Sequence, residues 1–350
     1  MQPGPPSQAG APPGAGPWPP APVGGGGAHP PRRRSVAAIV LGILLALSVA
    51  VNVLLVALVV FGLLIAGAVS SGDEMLIERV VQKSSSANKI AVIRIHGIIN
   101  EEMAERLHTQ FERAREDPRV KAVILRINSP GGGLTASDAI YHDIQTLLAD
   151  KPVVAAMDAV AASGGYYIAC SARQIVAQRT TITGSIGVIA QFFFLKDLLK
   201  DKLGVVPVTL KRGEQKDWPN LFNADITEEQ KDYILGTLME PGYQQFVDVV
   251  ADSRRMDRKK VLALATGRIF LGKDAKDHGL VDDVGYFDDA VAAAKKLAGV
   301  AHARVVEYAQ PFSLAVLLGA QAKAQTLVDL NPEKLAGLAS PKIMYLWTGN

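Results

Sequence analysis

The chain has 350 residues, room for one large domain or two ordinary ones. Its net charge of +3 is small, and no basic stripe with interleaved aromatics occurs, which argues against a nucleic-acid partner. With one cysteine, Cys170, no intrachain disulfide can form; the thiol reads as a small buried apolar residue.

Met1 to His29 is rich in Pro, Gly and Ala and nearly uncharged, so residues 1–34 read as a disordered arm. Arg32, Arg33 and Arg34 close it. Val36 to Val69 then carries no charge, which predicts a transmembrane anchor within residues 35–72. The arginines put the arm in the cytoplasm and the rest of the chain across the membrane. As one helix the run would measure roughly 50 Å, so a hairpin near Asn52, returning the chain to the cytoplasm, is the alternative. Residues 73–88 read as a tether.

The globular part is expected over residues 89–299. Strands are predicted at Ile90–Ile95, Lys121–Ile127 and Pro152–Met157, with helices at Glu101–Glu116 and Thr135–Ala149. Further strands are expected near Val176, at Ser185–Ala190 and at Val205–Leu210, with a helix at Phe193–Leu203. Alternating strands and helices imply an α/β fold with a partly parallel sheet, whose sites gather at strand carboxyl ends. The tail, residues 300–350, is read as an oligomer contact: a helix and an end strand packed on a neighbouring subunit. A plug in the active site is its alternative.

Two stretches follow strands directly. Pro130-Gly131-Gly132-Gly133 exposes backbone N–H groups that can form an oxyanion hole, or is a plain turn. Ser163, before Gly164-Gly165-Tyr166-Tyr167, is either a helix N-cap or a nucleophile. No Gly-x-Ser-x-Gly elbow surrounds it. None of the six histidines falls in a motif that would set it beside Ser163. A lysine deprived of water can serve as base instead. Lys216 is the candidate, in a segment whose composition also suits a solvated loop.

Asn128 to Gly133, Ala161 to Tyr167, Thr183-Gly184-Ser185-Ile186-Gly187-Val188 and Arg212-Gly213-Glu214-Gln215-Lys216-Asp217, in that order, resemble the signal peptide peptidases of the SppA type. Gly267 to Gly272 and Gly279 to Asp282 match the family's later segments. The resemblance implies a crotonase/Clp-protease-like fold of repeated strand–strand–helix units, and a ring-like homo-oligomer. It implies Ser163 as nucleophile and Lys216 as general base, with Gly131, Gly132 and Gly164 at the oxyanion and Ser185 orienting the lysine. Glu214-Gln215 depart from the small residues usual before that lysine. No metal or cofactor is called for. The expected function is membrane-anchored endoproteolysis of remnant signal peptides and other membrane-associated peptides. A crotonase-type acyl-CoA enzyme and an inactive membrane scaffold are the rivals.

Overall fold

The computed structural model describes residues 35–70, 76–218, 220, 222, 225–309 and 342–349. The Pro/Gly-rich arm, residues 310–341 of the predicted tail and the tether's first residues lie outside them. Two units divide at Ser71 and Gly72.

The first unit contains helix α1, Val36–Ser70. Its stretch Ile39–Phe61, with mean hydropathy 3.0, is long and apolar enough to cross a bilayer. Asn52 does not break it, because its amide donates to the Ser48 carbonyl one turn earlier at 2.8 Å. The hairpin expected as an alternative is therefore absent from α1, which runs through that point as one helix.

The second unit is built on a nine-stranded sheet. Its elements begin with β1 (Ile77–Gln82), β2 (Lys89–His96), α2 (Glu101–Glu116), β3 (Val120–Ser129), β4 (Gly131–Gly133), α3 (Leu134–Asp150) and β5 (Val153–Ala162). Then come α4 (Gly164–Ala169), β6 (Gln174–Ala177), β7 (Ile182–Gly184) and β8 (Ile189–Gln191). Past an irregular arm follow α5 (Glu228–Tyr233), α6 (Glu240–Arg254), α7 (Arg258–Leu264), β9 (Ile269–Leu271) and α8 (Gly272–Asp277). β10 (Asp283–Val284), α9 (Phe287–Leu297), β11 (Arg304–Ala309) and β12 (Lys342–Leu346) are the last elements among the described residues.

The main order is β1-β11-β2-β3-β5-β6-β10, parallel except for the β1–β11 pair. Its central strands carry the buried apolar runs Ile90–Ile93, Ala122–Leu125 and Val153–Met157, where both faces are covered. Ala91, Ile93 and Ile95 of β2 point to the side of α2 and α3, while Ile90 and Val92 point to α9. Asn100 caps α2 by accepting from the Met103 N–H at 2.9 Å, which fixes its start where the sequence predicts. β5 forks: Val154–Met157 pairs with β6, and Val160–Ala162 pairs with β7. That fork turns the carboxyl end of β5 out of the main sheet.

Several expectations need correction. The sheet reaches beyond residues 89–299, since β1 lies in the predicted tether and β11, in the predicted tail, sits between β1 and β2. Buried Lys89 ties β1 to the core, its Nζ 2.6 Å from Glu78 and 2.9 Å from Asp117 at the end of α2, while its backbone pairs with Arg304 of β11. Val205–Leu210 is no strand, and the helix at Phe193–Leu203 is reduced to a π-helical turn at Leu198–Lys202 flanked by short helical residues. Val208 is 80 % and Leu210 93 % exposed, so this apolar run is left uncovered by the described residues.

Candidate active site

Ser163 stands where the diverted end of β5 meets α4. Ala161 and Ala162 pair with Thr183 and Gly184 of β7, and the Ser163 N–H donates to the Gly184 carbonyl at 2.8 Å. Its backbone is left-handed, with φ 52° and ψ −116°. For a serine that conformation costs on the order of 1–3 kcal/mol, and such strain collects at functional sites. Ser163 occupies the N-cap position of α4 but makes no side-chain cap bond, so the hydroxyl is free for other work. No Gly-x-Ser-x-Gly elbow surrounds Ser163, yet the backbone makes a sharp strand-to-helix turn there without one.

The serine lines a cavity of about 890 Å³ together with Ser185, Tyr243, Arg268 and Trp347. Ser185 also has positive φ, 50°, and its N–H donates to the Arg268 carbonyl at 2.8 Å. The two predicted hydroxyls therefore share one cavity. Cys170 is buried behind this site, and burial pushes its thiol up to about 11, as expected of an inert apolar residue.

The glycines converge on the same place. A Cβ added to Gly131, whose φ is +100°, would stand 2.0 Å from the Tyr345 carbonyl oxygen and 2.7 Å from the Gly164 nitrogen. One added to Gly164 would lie 2.6 Å from Ser137 Oγ and 3.1 Å from that same carbonyl. Only residues without a side chain allow this approach. Gly131 and Gly132 belong to a short strand, β4, where a turn was the alternative.

The carbonyl in question belongs to β12. This strand lies between β4 and β8 and is antiparallel to both, with Tyr345 opposite Gly132 and Met344 opposite Gly133 and Ile189. The Trp347 N–H continues the ladder to the Pro130 carbonyl at 2.9 Å. Tyr345 is 0 % exposed; its ring centroid lies 5.0 Å from that of Tyr167 and 4.8 Å from that of Phe246. Its hydroxyl donates to the Gly242 carbonyl at 2.6 Å. Tyr167 is held in turn by donating to Asp138 at 2.7 Å, with Gln245 donating to both. The end strand was expected on a neighbouring subunit; it packs instead into its own chain, across the predicted oxyanion glycines.

Lys216 is not brought to Ser163 within the chain. It lies on an exposed turn closed by its N–H on the Gly213 carbonyl at 3.3 Å, and it does not line the cavity. Neither Glu214 nor Asp217 pairs with it among the described residues; Asp217 is held by Lys211 at 2.5 Å. Among the described residues no lysine or histidine lines the cavity that Ser163 and Ser185 share.

The later motif segments support the serine from behind. The Tyr166 hydroxyl, on α4, donates to the Leu280 carbonyl at 2.8 Å. Arg254 binds Asp282 through two bonds, of 2.6 and 3.0 Å, and Asp282 accepts from the Ile175 N–H at 2.7 Å. Gly279–Asp282 thus anchors α4 and β6. The sequence offered a tail plug in the active site as its alternative reading without singling out Tyr345, the tail residue whose carbonyl lies against Gly131 and Gly164.

The model of peptidase family S49 matches residues 145–301, and that of Clp protease matches residues 76–191. A candidate signal peptide peptidase SppA of Enterococcus faecium is 34% identical over 79% of this chain and 86% of its own length. The chloroplastic serine protease SPPA of Arabidopsis thaliana is 38% identical over 61% of this chain, and Protease 4 of Haemophilus influenzae is 38% identical over 60%. The chain spans only 33% and 35% of those two proteins. A strained serine facing a strand-lined cleft, a mixed α/β sheet that the Clp-protease model covers, and these relatives agree: the chain belongs to the SppA-type S49 family of serine peptidases.

Proposed function

We propose that the protein is a membrane-anchored endopeptidase with a Ser163/Lys216 dyad, assembled as a ring-like homo-oligomer in which one copy's Lys216 serves the next copy's Ser163. The observation that carries the proteolytic part is β12: an extended peptide seated antiparallel on both walls of the cleft, its Tyr345 carbonyl against Gly131 and Gly164. A cleft shaped for a strand favours a peptide over an acyl-CoA. The lysine's delivery from a neighbour is supported by three facts about the described residues: none that lines the cavity is a base, Lys216 is exposed, and the apolar arm that carries it is left uncovered.

The proposed chemistry is acyl transfer to Ser163. Lys216 takes the Ser163 proton as the hydroxyl attacks the peptide carbonyl. The backbone around Gly131, Gly132 and Gly164 holds the oxyanion, and the ammonium of Lys216 then protonates the departing amine. Ser185, across the cavity, accepts from the lysine and orients it. Remnant signal peptides are the proposed substrates, because the anchor keeps the enzyme where such apolar segments remain.

Fluorophosphonate labelling of the full chain tests the serine and the tail together. Label is expected on the wild type and none on Ser163→Ala. A chain ending at Leu338 should label roughly tenfold faster, since a tethered strand competes at about millimolar effective concentration. Equal rates in the two chains would show that β12 does not obstruct the nucleophile; labelling of Ser163→Ala would place the nucleophile elsewhere.

Topology is proposed from Arg32–Arg34 ahead of α1: the arm cytoplasmic, the catalytic unit outside. Protease added to intact spheroplasts should digest or release residues 72–350. Protection until lysis would reverse the assignment.

A further inference from the structure

Among the described residues, the cavity that opens on Ser163 has one charged residue in its lining, Arg268. The backbone there is pinned to the Ser185 loop: Gly267 N–H donates to the Ile186 carbonyl at 3.0 Å and Ser185 N–H to the Arg268 carbonyl at 2.8 Å. The Arg268 guanidinium stacks on the Phe270 ring, 4.6 Å from its centroid. That ring is itself fixed, since Phe270 pairs with Thr183 between β9 and β7, and a Cβ on Gly184 would come within 2.6 Å of it. The cation therefore sits on a rigid shelf. No Asp or Glu lines the cavity, and no carboxylate pairs with Arg268 among the described residues. Stacking leaves the in-plane N–H edges of a guanidinium available, and their fork matches a carboxylate.

β12 shows which half of a bound peptide this shelf meets. The Tyr345 carbonyl marks the reacting position at Gly131 and Gly164. Leu346, Trp347, Thr348 and Gly349, all beyond it, line the same cavity as Arg268. Arg268 thus lies beside the portion that departs with the amine.

We infer that Arg268 is a carboxylate-binding subsite for the departing half of the substrate. It takes the free C-terminal carboxylate of a short peptide ending near the position of Thr348 or Gly349, or an acidic side chain in that stretch. A peptide already cut once carries such a terminus, whereas an intact chain carries none near the bond, so the subsite favours proteolytic remnants over whole proteins. The inference rests on the protease reading and on β12 as the trace of the substrate path.

The test uses the full-length protein in detergent and the octapeptide of residues 342–349, as free acid and as C-terminal amide, each supplied above the roughly millimolar local concentration of β12 so that it competes with the tethered strand. A third peptide is the amide with Glu in place of Thr348. The acid should exceed the amide in kcat/KM by about fivefold, the span measured for exposed ion pairs, with the difference in KM. Arg268→Gln should bring the ratio to about one, and Arg268→Lys should keep part of it. A gain for the acid alone assigns the terminal carboxylate; a gain for the Glu peptide alone assigns the side chain. Equal cleavage of all three by the wild type, or a ratio unchanged in Arg268→Gln, overturns the subsite and leaves the protease reading intact. Absence of any Ser163-dependent cleavage overturns that reading, and the subsite with it.

Discussion

Mixing Ser163→Ala chains with Lys216→Ala chains should restore peptidase activity that neither variant has alone. Each single variant should lose about four orders of magnitude or more, since removing the nucleophile or its base disables the whole catalytic unit. In a mixed assembly, a lysine-deficient copy still carries Ser163 and a serine-deficient neighbour still carries Lys216, so productive sites form at some junctions. The expectation rests on the cavity, which contains Ser163 and Ser185 but no base, and on the exposed turn that holds Lys216. The measurement is peptide hydrolysis after co-refolding or subunit exchange at varied ratios, with the maximum at an intermediate ratio. If the mixture stays dead while each variant remains folded and oligomeric, the dyad is built within one chain and the arm must fold back over its own cavity.

Gly131→Ala should lower kcat by about two to three orders of magnitude, a loss of the size seen when oxyanion stabilisation is disrupted. Its methyl group would stand 2.0 Å from the position of the Tyr345 carbonyl oxygen, so either the substrate carbonyl or β4 must move. The backbone contributes as well, because alanine resists a φ of +100° by about 1–2 kcal/mol. The thermal midpoint should therefore fall by a few degrees only, while turnover nearly vanishes. A near-normal kcat would mean that the carbonyl binds elsewhere.

The parts of this molecule that were readable from sequence are those whose partners are near in the chain. Glu101–Glu116 has a cap at Asn100 and an apolar stripe, and it is a helix with those bounds. The buried strands β2, β3 and β5 are apolar runs between turns. Val205–Leu210 has the same local pattern and is not a strand, because an apolar run demands burial without saying which chain supplies it. β12 was legible as an end strand, but its register against β4 and β8 depends on glycines some 200 positions earlier, which no local periodicity encodes. Ser163 was legible only through its neighbours: two glycines forced by close contacts and a small-residue strand end. Lys216 came from motif alone, and Arg268 was visible inside a motif whose purpose appears only once the path of β12 is known.

The attachment of β12 to the body has a kinetic consequence. Residues 310–341 join β11 to β12, so the strand is never farther from the cleft than that tether allows. An occupant held this way is present at roughly millimolar local concentration, whatever the concentration of the protein. A dilute peptide at micromolar level cannot displace it by mass action at equal intrinsic affinity. A peptide confined to the plane of a membrane is crowded into a far smaller volume and can. Attachment thus makes the threshold for turnover a matter of crowding as well as of sequence.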